Sequence, residues 1–123
     1  MKLAHITIQT NKFCEEIEFY KKYVGLKIVN ELRDNMYNIV FLAENDVEPQ
    51  IEIIENSDAD SSGNENISIG FYTDKFECLY DELKNNGFSV TPIISPVPQV
   101  EFFFVKDPAG VKVQFIKNNY KKV

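Results

Sequence analysis

Apolar and polar positions along the first half of the chain form stretches that predict one helix among four strands. Residues 3–9 are rich in Ile and Thr, which favours a strand, and Asn11 then offers a side-chain oxygen for the start of a helix. The next apolar residues recur at helical spacing up to a glycine that ends the pattern: Phe13, Ile17, Tyr20, Val24 and Gly25. Residues 26–32, 36–43 and 50–55 have the short apolar stretches of strands, so the predicted order is βαβββ.

The same order returns after a polar segment. Residues 56–66 contain one apolar side chain, an alanine, and are typical of a linker. The elements predicted beyond it are a strand at 67–73, a helix at 75–86 that Gly87 ends, and strands at 88–94, 101–106 and 111–117. Thr10-Asn11-Lys12-Phe13 matches Thr73-Asp74-Lys75-Phe76 at a separation of 63 residues. The pattern therefore predicts a duplicated motif, with a first module at 1–55, the linker at 56–66 and a second module at 67–123.

Polar residues of the predicted strands gather on one face of each module, because side chains alternate between the two faces of a strand. His5 and Thr7 share a face of the first strand, and Glu52 lies between two isoleucines of the fourth. Ser68 and Gln114 hold the matching positions in the second module. We therefore expect four side chains to converge on one shared hollow: His5, Glu52, Ser68 and Gln114.

Composition and charge narrow the classes of partner. The chain has 123 residues, of which 44% are hydrophobic and 26% charged, and this is enough to build one apolar core without disulfides or a structural metal. Thirteen basic residues against nineteen acidic ones give a formal charge of -6 and a pI near 4.8. This charge repels phosphate backbones and anionic lipid headgroups. We therefore expect neither nucleic acid nor a membrane as a partner, and the acidity favours a cationic guest.

Cysteine usage and the start of the chain indicate the compartment. The two cysteines are Cys14 and Cys78, and the first residues enter a strand-like pattern without the apolar stretch of an export signal. No apolar run approaches the roughly 20 residues that a membrane helix requires. We expect a reducing, cytoplasmic setting in which both thiols are free.

Four segments, spread over nearly the whole chain, resemble the vicinal oxygen chelate superfamily. They are His5-Ile6-Thr7, the Glu18-Phe19-Tyr20 and Val24-Gly25-Leu26 pair, the strand at 51–55 and the turn Asp107-Pro108-Ala109-Gly110. This superfamily includes glyoxalase I, bleomycin resistance proteins, fosfomycin resistance enzymes and extradiol dioxygenases. The resemblance implies an α+β fold in which two tandem βαβββ modules form a curved, cup-shaped mixed sheet. It also implies a homodimer and a divalent metal held by the first and last strands of each module.

Two of the four ligand positions depart from the family's pattern. His5 and Glu52 match the ligand types of the family, whereas Ser68 stands where a histidine is usual and Gln114 where a glutamate is usual. A catalytic divalent site generally has three protein ligands and an open position, and a neutral hydroxyl is a weak donor. We therefore expect no tightly bound cofactor. If zinc, nickel or manganese does bind, its ligands would be His5, Glu52 and Gln114.

Three functions follow from this comparison and stay open. The first is binding of a small organic molecule in the cup without a complete metal site, as the resemblance to bleomycin resistance proteins implies. The second is a metal-dependent lyase or isomerase of the glyoxalase I type, and the third is an interaction module with an empty cup. Whether the protein is an enzyme is open, and the candidate catalytic pair is His5 oriented by Glu52. The candidate ligand-binding residues are His5, Thr7, Glu52, Ser68, Tyr72, Phe102 and Gln114.

Two further features have alternative interpretations. Four aromatic residues either form a wall for a planar ligand or pack in the core: Tyr37, Tyr72, Phe102 and Phe104. The proline-rich segment at 92–98 is interpreted as a flap over the cup, a dimer contact or an edge connection.

Overall fold

The first of two compact units contains one helix and a four-stranded sheet. The computed structural model describes residues 1–34 and 36–119, and the chain divides into two units, of which Met1–Ser62 is the first. Its elements are β1 (His5–Thr10), α1 (Phe13–Phe19), one turn of π-helix (Tyr20–Val24), β2 (Lys27–Arg33), β3 (Asn38–Ala43) and β4 (Gln50–Glu55). The sheet order is β1-β4-β3-β2, with β1 parallel to β4 and the other pairs antiparallel.

One face of this sheet is buried against α1 and its π-helical turn. Alternate residues of the strands point into the core, and the helix contributes an apolar stripe. The buried hydrophobic residues are Ile8, Phe13, Ile17, Phe19, Tyr20, Val40, Leu42, Ala43, Ile51 and Ile53. The opposite face of β1 and β4 is left for the polar residues.

The second unit, from Gly63 onward, repeats the architecture. Its elements are β5 (Ser68–Thr73), α2 (Phe76–Asn85), β6 (Ile94–Val97), β7 (Val100–Lys106) and β8 (Lys112–Lys117). The sheet order β5-β8-β7-β6 reproduces that of the first unit, and β5 is parallel to β8. The core is built from Ile69, Phe76, Leu79, Leu83, Phe103, Val105, Ala109, Val113 and Phe115. The predicted α+β fold with two βαβββ motifs is confirmed.

The first helix ends where the sequence predicts, but with a wider last turn. Gly25 has a φ of 81°, the left-handed conformation that commonly closes a helix, and its N–H group bonds to the carbonyl of Tyr20. The turn before it, Tyr20–Val24, is π-helical, which the spacing of apolar residues does not reveal.

The predicted helix cap at Asn11 is wrong. Lys12 occupies the N-cap position of α1 without a capping side chain, and the hydroxyl of Thr10 accepts a hydrogen bond from the Lys12 N–H at 2.9 Å. Asn11 instead accepts a hydrogen bond from the hydroxyl of Ser61 at 3.1 Å. The same arrangement precedes α2, where Thr73 accepts from the N–H of Lys75 at 3.1 Å. The last residue of the strand therefore supplies the oxygen that Asn11 was expected to supply.

The strand predicted at 88–94 is also wrong. Only an isolated bridge joins Val90 to Val105, and the outer strand of the second sheet is β6, further along the chain. Pro92 has no N–H group to donate to a ladder, which interrupts the pairing after Thr91. The proline-rich segment at 92–98 thus contains the edge strand. No helix among the described residues is long and apolar enough to cross a membrane.

Candidate functional site

A cluster of three polar side chains lies on the exposed face of the first sheet. The parallel pairing of β1 with β4 sets Thr7 opposite Glu52 and His5 opposite Gln50. The Thr7 hydroxyl donates a hydrogen bond to Glu52 Oε1 at 2.5 Å, and His5 Nε2 lies 3.4 Å from the same oxygen. The His5 side chain is 42% exposed and that of Glu52 only 13%. The carboxylate is therefore the inner member of the cluster and the imidazole its accessible member.

An aromatic ring completes the surroundings of His5. Phe41 is the β3 partner of Glu52, so its side chain shares the polar face. The His5 ring meets the Phe41 ring edge-on, with centroids 5.9 Å apart and an interplanar angle of 75°. The imidazole is thus held between a carboxylate and a ring, an arrangement that suits a hydrogen-bonding group, a proton acceptor or a metal ligand.

Ser68 and Gln114 lie at the corresponding positions of the second sheet. Gly70 is the β5 partner of Gln114, just as Thr7 is the β1 partner of Glu52. A Cβ atom at position 70 would lie 3.2 Å from Gln114 Oε1, so the glycine leaves room for the amide group. Phe104 pairs with Gln114 on β7, as Phe41 pairs with Glu52 on β3. The two sheets therefore present the same positions with different chemistry.

A cavity of about 410 Å³ opens on this face of the second unit, and we call it the Tyr72 cavity. It is lined by Tyr72, Gln99, Val100, Phe102, Gln114, Ile116, Lys117 and Asn119. The Phe102 ring meets that of Phe104 edge-on at 5.6 Å. Tyr72 is 58% exposed, so the interpretation of the aromatic residues as core is wrong for this one. Tyr37 is exposed as well, but it lies in the first unit, just before β3.

Lys117 borders the Tyr72 cavity with its charge already engaged. Its ammonium group lies 2.8 Å from Glu77 Oε1 on α2 and 3.4 Å from Glu101 Oε2 on β7. The hydrogen bond to Glu77, and then that to Glu101, raise the pKa of Lys117, while the hydrogen bond from Lys117 lowers the pKa of Glu77. The lysine at this end of the cavity therefore serves mainly to join α2 to the sheet.

The predicted site residues fall into two groups. The structure brings His5, Thr7 and Glu52 together in the first unit, and Tyr72, Phe102 and Gln114 around one cavity in the second. Ser68 lies at the start of β5 opposite Lys112, outside the lining of that cavity. The convergence of all four expected positions stays a prediction. Sequence reasoning missed Phe41, whose place depends on strand register rather than on a motif.

The donors that these faces offer to a divalent metal differ between the two units. The first unit offers one imidazole and one carboxylate, whereas the matching positions of the second offer a hydroxyl and an amide. Among residues 1–34 and 36–119, no three His, Cys, Asp or Glu side chains are grouped so that they could hold a metal ion. A neutral hydroxyl and a neutral amide do not offset the cost of taking a divalent cation from water.

Comparison with known proteins places this arrangement in context. Residues 2–115 match the model of the Glyoxalase/Bleomycin resistance protein/Dioxygenase superfamily. A lactoylglutathione lyase from Haemophilus influenzae is 26% identical over 99% of this chain and 96% of its own length.

Solved structures show the same fold at lower identity. Glyoxalase I from Leishmania major has a TM-score of 0.77 and 19% identity, with 95% of this chain and 86% of that one covered. The fosfomycin resistance protein FosX from Mesorhizobium loti has a TM-score of 0.76 and 11% identity, with 96% and 92% covered. A possible glyoxalase from Bacillus cereus has a TM-score of 0.71 and 19% identity, with 94% and 98% covered.

Proposed function

Because the chain belongs to the Glyoxalase/Bleomycin resistance protein/Dioxygenase superfamily, we propose that it binds a small organic molecule in the Tyr72 cavity without a complete metal site. The observation that carries this proposal is the cavity itself. Its volume of about 410 Å³ falls within the range of small-molecule pockets. Its lining combines apolar and aromatic side chains with a few polar groups, which is the usual composition of such pockets.

Each part of the lining has a physical role in this proposal. Tyr72 and Phe102 offer ring surfaces against which a planar ligand stacks. The Gln114 amide can both donate and accept a hydrogen bond, so it fixes the orientation of a polar group on the ligand. Gly70 keeps a side chain away from that amide. The site therefore selects for a flat apolar body with one hydrogen-bonding group.

The remaining candidate residues belong to the same proposal. We propose that His5, Thr7, Glu52 and Ser68 are further ligand-binding groups, each on the polar face of its own sheet. The short hydrogen bond from Thr7 and the contact from His5 hold Glu52 in place, so the accessible imidazole is the group that meets a ligand. A homodimer in a cytoplasmic setting, as expected from the resemblance and the cysteine usage, completes the proposal.

Titration with a matched set of aromatic probes tests the binding function. The probes are benzamide, benzylamine and benzoate, which share a ring and differ in charge, and the readout is two-dimensional amide NMR. We expect benzamide to shift the amides of Tyr72, Phe102 and Gln114, and Phe102→Ala to weaken its binding by roughly tenfold through the loss of ring contact.

The matched control for this variant is Tyr37→Ala, which removes an exposed ring of the first unit. This control should leave the benzamide affinity unchanged. If none of the three probes shifts the amides that line the Tyr72 cavity, or if both variants weaken binding equally, the proposal is wrong.

A metal-dependent lyase or isomerase is the second candidate function. It is favoured by the similarity to the Haemophilus lactoylglutathione lyase over nearly the whole chain, and by the contact between His5 and Glu52. This function would require His5, Glu52 and Gln114 to hold a zinc, nickel or manganese ion. The neutral donors of the second unit count against it, and metal binding itself separates the two functions.

A further inference from the structure

A tight turn in the second unit brings two lysines side by side. Lys106 ends β7 and Lys112 begins β8, and the two are direct partners in the antiparallel pairing. The turn between them is closed by the Gly110 N–H, which donates to the carbonyl of Asp107 at 2.9 Å. The Val111 N–H donates to Asp107 Oδ1 at 2.8 Å. Partners in a ladder point to the same side, so both ammonium groups extend from the face that carries Gln114.

The linker approaches this turn so closely that only glycine fits. Gly63 has a φ of 76°, and a Cβ atom there would lie 1.8 Å from the carbonyl oxygen of Gly110. Two residues later, Glu65 Oε1 lies 2.5 Å from Lys106 Nζ. The close approach at Gly63 thus places a carboxylate of the chain beside the two lysines.

These groups line a second cavity of about 410 Å³, which we call the lysine cavity. Its lining is Glu65, Ser89, Val90, Thr91, Phe104, Val105, Lys106 and Lys112. The Lys112 ammonium lies 4.3 Å from the centroid of the Phe104 ring, within the range of a cation–π contact. The cavity therefore joins two positive charges to an aromatic wall, and Glu65 is its one acidic side chain.

The acidic excess of the molecule lies in the first unit, so it does not oppose an anionic ligand at the lysine cavity of the second unit. Residues 1–62 contain twelve acidic and six basic residues, whereas residues 63–123 contain seven of each. The net charge of -6 thus resides in the first unit. It gives no reason to expect a cation at the lysine cavity, where two lysines face one glutamate.

We infer that Lys106 and Lys112 form a binding subsite for a carboxylate, and that Glu65 is the internal carboxylate which the ligand displaces. This inference rests on the proposed function, since it names the chemical class of ligand that the same sheet face would take. An ion pair exposed to water contributes little, so exchanging Glu65 for another carboxylate has a small cost. A ligand with a ring next to its carboxylate gains contact with Phe104, which Glu65 cannot supply.

The ionisation of Glu65 agrees with this subsite. The hydrogen bond and the charge of Lys106, together with the weaker effect of Lys112, lower the pKa of the Glu65 carboxyl from its usual 4.5. The surroundings therefore favour a carboxylate in its ionised form at this position.

Benzoate and its neutral isostere benzamide test the subsite on the full chain by amide NMR titration. Lys106→Met with Lys112→Met should weaken benzoate binding by roughly tenfold and leave benzamide unaffected, because only benzoate needs the charges. Glu65→Gln should tighten benzoate binding by about threefold, because it removes the internal competitor. The matched controls are Lys75→Met with Lys84→Met, just before and within α2, and Glu82→Gln on α2, which make the same charge changes away from both cavities.

The outcomes separate this inference from the proposed function. If benzamide shifts the amides around Tyr72 but benzoate binding is the same in the wild type and in the lysine and Glu65 variants, the carboxylate subsite alone is wrong. Equal effects of the α2 controls would likewise overturn it, since they would indicate a general charge effect. If none of benzamide, benzylamine and benzoate shifts amides around Tyr72, the proposed function fails, whatever happens near Lys106.

Discussion

Gly63 has a larger structural role than its place in a polar linker indicates. Its left-handed backbone and its contact with Gly110 fix the path of the chain into the second unit. Gly25 adopts the same conformation at the end of the first helix, but no heavy atom beyond its chain neighbours lies within 4 Å of where its Cβ would be. Replacing Gly25 therefore adds only the strain of a left-handed backbone, whereas replacing Gly63 adds that strain and a steric clash with Gly110.

We expect Gly63→Ala to destabilise the protein more than Gly25→Ala. Both substitutions place alanine in the left-handed region, which costs about 1 kcal/mol. Only at position 63 must the backbone also move away from Gly110, which adds about 1–3 kcal/mol of overpacking strain. Urea unfolding of the two variants measures the difference in the free energy of unfolding. Equal losses of stability would contradict the prediction, because they would show that the backbone at position 63 moves away from Gly110 without strain.

At the residue scale, the sequence predicts which side chains share a face better than which of them touch. Alternation along β1 and β4 is enough to assign His5 and Glu52 to the polar face. The hydrogen bond from Thr7 depends on the register of the parallel pair, which no local pattern encodes. The contact between Lys106 and Glu65 was missed for the same reason, because it forms only when the linker passes the turn.

At the element scale, α2 is tied to β8 by more than its apolar stripe. Phe76, Leu79 and Leu83 are buried beneath it, and Glu77 in its first turn accepts a hydrogen bond from the Lys117 ammonium. An acidic residue in the first turn also interacts favourably with the helix dipole. This ion pair makes the helix contact dependent on pH.

Glu77→Gln should lower stability at neutral pH by a small amount, and the loss should vanish in acid. The pKa of Glu77 is lowered from 4.5 in the folded protein, so its contribution is present above that value and disappears as the pH falls through the folded pKa. Thermal unfolding of the wild type and the variant between neutral pH and about pH 3 measures this. Glu82→Gln on the same helix is the matched control, and a difference between wild type and Glu77→Gln that persists in acid would contradict the prediction.

The elements themselves were largely predictable, and the exceptions have physical causes. The strand at 50–55 and the helix ending at Gly25 follow directly from their apolar periodicity and a terminal glycine. The strand expected at 88–94 failed because β-branched residues there favour a strand while Pro92 interrupts the ladder. The helix start at Asn11 failed because Thr10 reaches the same backbone donor from the strand.

At the scale of the whole molecule, two copies of one motif share topology but not chemistry. The two sheets have the same strand order, and His5 of the first matches Ser68 of the second. In the same way, Glu52 matches Gln114. Duplication could be predicted from the sequence because spacing survives when side chains change. Under the proposed function, this difference in side chains leaves the metal site incomplete.

We expect the unfolding temperature of the wild type to be unaffected by zinc, nickel or manganese. Ser68→His combined with Gln114→Glu places the residues of positions 5 and 52 in the second unit as well. If the four positions converge as the resemblance implies, this variant should gain about 2.7 kcal/mol of stability at a metal concentration a hundredfold above Kd. Thermal shift and elemental analysis of protein purified without chelator provide the measurement.

The single variants Ser68→His and Gln114→Glu are the controls and should respond less than the pair. A metal-induced rise in the wild type would instead contradict an incomplete metal site and favour the metal-dependent alternative. No response of a folded double variant would show that the four positions do not converge.

The outer strand β6 has a consequence for how copies of this protein behave at high concentration. It is four residues long, Pro96 has no N–H group to donate, and the carbonyl of Val97 already accepts a hydrogen bond from the Ser95 hydroxyl at 2.9 Å. A neighbouring molecule that extended the sheet here would find no N–H donor at Pro96, although Ile94 and Val97 are exposed. A proline in this strand opposes edge-to-edge pairing, so we expect concentrated solutions not to form fibres through β6 despite its exposed apolar side chains.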